Sequence, residues 1–273
     1  ADTTNFTDSI LISQNASTGT LSSAAHNTGL GDNVFAALTS GTFNVAIGAD
    51  ALKSNTSAAQ NTAVGGVSMA SNTTGANNTA LGTSSLNSNT TGSSNTAVGT
   101  NALVVNTEGS NNTAVGMQSL DANTTGTTNT AIGKDSLGAN TTGSQNTGLG
   151  HNALEANTTG ANNTAVGKNA LRVSTTESKI VAVGFDALAA NTTGTNGVAV
   201  GAEALKANTT GDFNTGVGFA ALEANTTGSQ NTAVGFAALD AATTANYNTA
   251  IGYQALSANT SEKRVLQLVG ELY

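Results

Sequence analysis

The word Asn-Thr-Ala-Val-Gly, with small variations, begins at residues 27, 44, 61, 78, 95, 112, 129, 146, 163, 180, 197, 214, 231 and 248. Fourteen copies therefore follow one another at a spacing of seventeen residues, without insertion or deletion. A globular domain tolerates drift in loop length. Stacked coils do not, because one extra residue would shift every column out of line with its copies. This strict period constrains the fold more than any single motif does.

Numbering each copy from 1 to 17 gives the columns their meaning. Position 5 is glycine throughout, position 4 is Val, Leu or Ile, and position 13 is Thr. Position 9 is Leu except at Phe35 and Met69, and position 1 is Asn except at Ile180 and Gly197. Position 12 is mostly Asn, while positions 6, 7, 10, 16 and 17 vary and hold nearly all the charges. These spacings make no helical stripe, and Gly with Asn-Thr-Thr-Gly would interrupt a helix repeatedly. Short strands fit better: Thr-Ala-Val-Gly as one, Ala-Leu-x-x-Asn as a second, and Thr-Thr-Gly as a turn. The prediction is an all-β parallel β-solenoid, a β-roll of about fourteen coils, stacked at about 4.8 Å into a rod about 67 Å long.

Residues 1–26 are expected to form a lead-in strand and cap, and residues 27–264 the repeat roll. Residues 265–273, an apolar tail outside the period, would cap the open end or be donated to the next molecule. Within the roll, the aliphatic residues at positions 4 and 9 are expected to stack inward and the asparagines at positions 1 and 12 to form amide ladders. In one rung these are Asn214, Val217, Leu222 and Asn225, with Gly218 at the corner between strands; Gly133 holds that corner in a central rung. If the larger member of each apolar pair points in, the small residues at positions 3 and 8 point out as a flat stripe. Such a stripe predicts self-association.

The chain has no cysteine and carries a net charge of −8 with only eight scattered Lys and Arg, which argues against nucleic-acid binding. Enzyme chemistry has no foundation in the pattern. His26 and His151 lie about seven coils apart, on the order of 34 Å, and the carboxylates stand in variable columns. Neither a cofactor nor a metal ligand set is therefore expected. Two other readings have partial support. Asp50, Asp135 and Asp186 follow glycine as in calcium-binding β-rolls, without the double glycine of that repeat. Threonine columns at positions 2 and 13 repeat at the coil spacing, as an ice-binding solenoid requires, but position 2 lapses to valine at Val45, Val181 and Val198. The Asn-Thr-Thr and Asn-Thr-Ser words are glycosylation sequons, so closely spaced that glycans on every copy would collide. Position 6 turns aromatic at Phe185 and then, in consecutive coils, at Phe219, Phe236 and Tyr253. This strip is a candidate contact with sugar rings or with another chain. Both asparagine ladders lapse around Ser174, Glu177, Ile180 and Gly197.

The word NTAVGxxALxxNTTG resembles the head repeats of trimeric autotransporter adhesins (YadA-like heads), most closely at Val45-Ala46-Ile47-Gly48 and Val181-Ala182-Val183-Gly184. It is also similar to YadA-domain structural and tail-fibre proteins of marine and cyanobacterial tailed phages, including the lead-in at residues 5–10 and 18–24. The likeness covers residues 5 to 264. It implies a left-handed β-roll and a homotrimer about a common axis. The period is longer than is usual in adhesin heads, and neither a heptad stalk nor an anchor barrel follows, so no membrane insertion is expected.

The expected function is that of a non-enzymatic structural and adhesion protein of a virion, cell surface or other extracellular setting. It would be a rod-like fibre segment whose partners are copies of itself and a host surface glycan or receptor. The alternatives are an end-to-end polymerising extracellular filament and an ice-binding or calcium-binding solenoid.

Overall fold

The computed structural model describes residues 9–12 and 22–268. The lead-in residues 1–8 and 13–21 and the tail residues 269–273 lie outside the described residues. The fold is an all-β parallel β-solenoid of about fifteen turns, each of about seventeen residues. Among the described residues there are sixteen strands of three residues each and no helix. The chain comprises two compact units, Ala1–Thr142 and Gly143–Tyr273.

The first unit holds β1 (Ile10–Ile12), then β2 (Thr28–Leu30) and its copies at steps of seventeen to β8 (Thr130–Ile132). In the second unit the same step runs from β9 (Thr147–Leu149), β10 (Thr164–Val166) and β11 (Val181–Val183) to β15 (Thr249–Ile251) and β16 (Leu266–Leu268). In each unit the strands pair in parallel with like positions opposite, for example Thr62 with Thr79 and Ala63 with Ala80. The lead-in and the tail both join this ladder, since β1 pairs with β2 and β16 with β15. Gln267 also caps the last turn, accepting the Leu256 N–H on its Oε1 at 2.7 Å.

Each coil has one strand, not two. The expected second strand, Ala-Leu-x-x-Asn, is a chain of turns. Its central leucine is left-handed, as at Leu103 (φ 52°) and Leu222 (φ 55°), and so are positions 7 and 17. Hydrogen bonding along the stack explains this. Asp50 donates its N–H to Asp32 O in the coil before, Leu52 to Ser68 O in the coil after, and Gln60 to Thr42 O in the coil before. Single left-handed residues turn successive peptides along the stacking axis, so the turns satisfy their backbone groups without a strand. The cost of the left-handed region to a side chain is of order 1 kcal/mol per residue.

The strand also faces the opposite way from the expectation. Position 3 is the buried one and position 4 the outward one: Ala97, Ala165 and Ala233 are fully buried, whereas Leu81, Leu149 and Ile251 are 49, 42 and 42% exposed. Val217, expected in the core, is half-exposed on this outer face. The reason is width. The interior is already filled by the position 9 column (Phe35, Leu52, Met69, Leu86 and successors) and by the buried asparagines of positions 1 and 12. A Cβ at Gly216 would lie 3.4 Å from Leu205 Cδ1, so a methyl group is all that position 3 can bury. The small residues of position 8, such as Ala102 and Ser119, are buried as well. The outward small-residue stripe therefore does not exist; aliphatic side chains take its place.

Candidate functional site

The asparagine ladders of the expected rung are present, and the two columns work differently. At position 1, Asn214 donates Nδ2 to Gly228 O at 2.7 Å, closing its own coil, and its Oδ1 accepts the Asn231 N–H at 3.0 Å. At position 12, the side chains bond each other: Asn225 Nδ2 donates to Asn208 Oδ1 at 2.7 Å and also to Gly228 O at 3.0 Å. The sequon asparagines of the Asn-Thr-Thr words are thus buried and engaged, which makes them ladder groups and not accessible amides in the fold. Position 5 is a corner with φ near +130°, at Gly133 (132°) and Gly218 (131°). Leu222 is buried as expected.

Where the ladders lapse, a carboxylate takes over. Ser174 replaces asparagine and donates its hydroxyl to Glu177 Oε2 at 3.0 Å, which also accepts the Thr175 and Thr176 N–H groups. Burial works against the Glu177 charge, but the hydrogen bonds from Thr176 and Ser174 outweigh it and hold the carboxyl below its usual range. Ile180 still gives its N–H to Asn163 Oδ1.

Three surfaces have the makings of contact sites. The first is the outer sheet face, where Thr or Val at position 2 stands beside Val, Leu or Ile at position 4 with no charged residue in either column. The hydroxyls of the other threonine column, position 13, are used inside the fold: Thr39 Oγ1 donates to Thr56 O at 3.0 Å, and Thr209 Oγ1 to Thr226 O at 3.0 Å.

The second is the aromatic strip, which the structure divides. Phe219, Phe236 and Tyr253 stack in register, with centroids 5.3 and 5.2 Å apart. Their faces cover one another, leaving edges to solvent at 49, 45 and 65% exposure. Phe185 stands apart, two coils before Phe219, because Ala202 holds the column between them. It is 45% exposed and has no ring partner among the described residues.

The third surface escaped the sequence reading. Positions 6, 7, 10 and 11 of successive turns line a shallow groove of about 630 Å³ in the second unit, with His151, Lys168, Arg172, Asp186, Ala189 and Lys206 along it. Asp186 is engaged, accepting from Asn169 Nδ2 at 2.8 Å and lying 4.0 Å from Lys206 Nζ. The Glu203 carboxylate, 3.0 Å from the Lys206 ammonium, pushes that lysine above its usual range. Only the left-handed turn brings these columns to one face, so spacing alone gave no sign of it.

The three aspartates of the calcium-like word are set against lysines: Asp50 lies 3.2 Å from Lys53, Asp135 2.6 Å from Lys134, and Asp186 beside Lys206. No group of three metal-ligating side chains occurs among the described residues, and no described helix is long and apolar enough to cross a membrane. No family model, curated protein or solved structure matches this chain.

Proposed function

We propose that the chain is a non-enzymatic structural and adhesion protein, a rod-like segment of a phage tail fibre or cell-surface appendage that assembles as a homotrimer outside the cell. One observation carries this reading: the uncharged outer face of the sheet, with its aliphatic column at position 4. In each unit the column repeats at every rung, and eight of its side chains are 36–49% exposed (Leu30, Ile47, Leu81, Ile132, Leu149, Val200, Val234 and Ile251). A column that is large, apolar and outward is costly to leave in water and inexpensive to bury against an identical column. A parallel arrangement of copies matches rung to rung, because every rung presents the same residue types. The resemblance to adhesin heads favours three copies about an axis. Adhesion then follows from several copies of each surface presented together.

The test is particle mass and shape. Sedimentation and electron microscopy of the purified chain should give discrete rods of three times the chain mass. Replacing Val98 and Val115 together by lysine should return it to single chains that keep their β-rich circular dichroism. A monomer at micromolar concentration would overturn the reading.

A second reading, end-to-end filaments, is favoured by the edge strands. Ile10 and Ile12 of β1 and Leu266 and Leu268 of β16 are 62–67% exposed, at the first and last described strands. Long filaments in the same micrographs would select it.

A further inference from the structure

We propose that the groove of the second unit binds an acidic saccharide, with its carboxylate or sulfate on Lys168 and Arg172 and a sugar face against Phe185. This rests on the adhesion reading and gives it a ligand class. The chain is acidic, with eight Lys and Arg against sixteen Asp and Glu, yet three of the eight line this one groove. Of these, Lys206 is occupied by Glu203 and Asp186. Lys168 and Arg172 make no ion pair among the described residues, and both side chains are exposed. Two unpaired cations lining one groove of a negative chain attract anions from solution and hold them by charge-assisted hydrogen bonds.

The groove is only partly polar. Ala189 and Ala190 line it, and Phe185 follows Lys168 in the position 6 column one coil on, where the Asp186 N–H donates to Lys168 O at 3.1 Å. Phe185 is the one aromatic of that column whose ring is not stacked on another. Lys168 and Ala202 flank it in the column, so neither of its faces is stacked on a ring, whereas Phe236 is stacked on both faces and Phe219 and Tyr253 on one each. An exposed ring one coil on from Lys168, with neither face stacked on another ring, suits a flat, partly apolar ligand carrying an anionic substituent. A pyranose ring with its axial C–H face on Phe185 and an acidic group over Lys168 and Arg172 has that form. A bare inorganic anion would use the cations alone.

The test uses the full chain and four probes: oligomers of alginate (carboxylated), dextran sulfate (sulfated), neutral dextran, and inorganic sulfate. Calorimetry should detect one or both acidic oligomers and not the neutral one. Lys168→Ala with Arg172→Ala should weaken acidic binding about tenfold or more. Phe185→Ala should weaken the oligomers about threefold to tenfold and leave inorganic sulfate unchanged. Lys53→Ala with Lys263→Ala removes the same charge elsewhere and should leave binding unchanged. Circular dichroism checks that each variant is folded. The proposal is overturned if neither acidic oligomer binds, if the two double variants weaken binding equally, or if Phe185→Ala has no effect on the oligomers. The mass and micrograph test of the fibre reading is independent of the groove. A rod-forming trimer that binds no acidic oligomer sinks this inference alone, and a monomer that binds one sinks only the fibre assignment.

Discussion

Asn225 gives its side-chain amide to Asn208 one coil back, but its own buried Oδ1 has no hydrogen-bond partner, because Ala242 occupies the next rung where an asparagine would donate. The ladder runs from Asn191 through Asn208 to Asn225 and stops there. Ala242→Asn should repair it, its new amide reaching both Asn225 Oδ1 and Ala245 O. The pairing of Asn55 with Ala58 O at 3.2 Å demonstrates that alanine at that second site is compatible. A gain of about 1 kcal/mol is expected, read as a higher denaturant midpoint at unchanged slope. A lower midpoint would mean that the added volume outweighs the bond.

The corner glycines allow no substitution. Gly99 has φ 131°, and a Cβ there would lie 2.6 Å from Gly116 O in the next coil. Gly99→Ala should cost about 3 kcal/mol or more, since backbone on both sides must move. Gly66→Ala, one position further along a coil, has nothing within 4 Å of its new Cβ. It should be nearly silent in the same melting experiment.

Val67 is a β-branched residue held at φ 53°, in a column where other copies carry Asn101 (φ 59°), Asn152 (φ 58°) and Asn169 (φ 58°). Asparagine tolerates the left-handed region and valine does not. Val67→Asn should therefore stabilise the chain by about 1 kcal/mol although it removes apolar surface. A loss of stability would show that Val67 contributes more by packing than the backbone pays in strain.

The direction of the strand can be tested by paired substitutions in one rung. Ala97 is fully buried and Val98 is half-exposed. Ala97→Leu should cost about 1–3 kcal/mol by overfilling the coil. Val98→Ala should cost less. The reverse order in chemical denaturation would place the larger residue inside.

Glu177 carries the one pH-dependent cap at the ladder lapse. Its folded-state pKa lies below the usual glutamate value of 4.5, so its contribution is fully present above that value and is lost as the pH falls through it. Glu177→Gln should lower stability at neutral pH and flatten the decline that sets in below about pH 5. A variant that keeps the full acid dependence would assign that dependence to other carboxylates.

The period, the parallel stacking, the asparagine ladders and the glycine corner were all legible in the chain. Each depends on a residue type repeated at one place in the coil, and repetition at fixed spacing is a one-dimensional property. Leu222 could be placed in the core for the same reason. Val217 could not. Alternation says that Gly216 and Val217 face opposite sides, but not which side is the interior; the general preference for burying the larger residue pointed the wrong way here. Phe185 was legible as an exposed aromatic one coil on from Lys168; that Lys168 and Arg172 line one groove was not, because the two belong to different columns and only the turn sets them on one face.

The sequence by itself determined that this chain repeats one coil at a fixed step, since any insertion would break every ladder at once. Tertiary structure alone decided what the coil encloses. Leucine and two asparagines fill the narrow interior and leave space for only a methyl group from the strand, so Val, Leu and Ile are turned to the outside. Left-handed residues at positions 9 and 17 have no clear signature in residue type, because Leu, Phe, Lys and Asn all adopt that conformation here. The demand that every turn peptide find a partner along the stack imposes it.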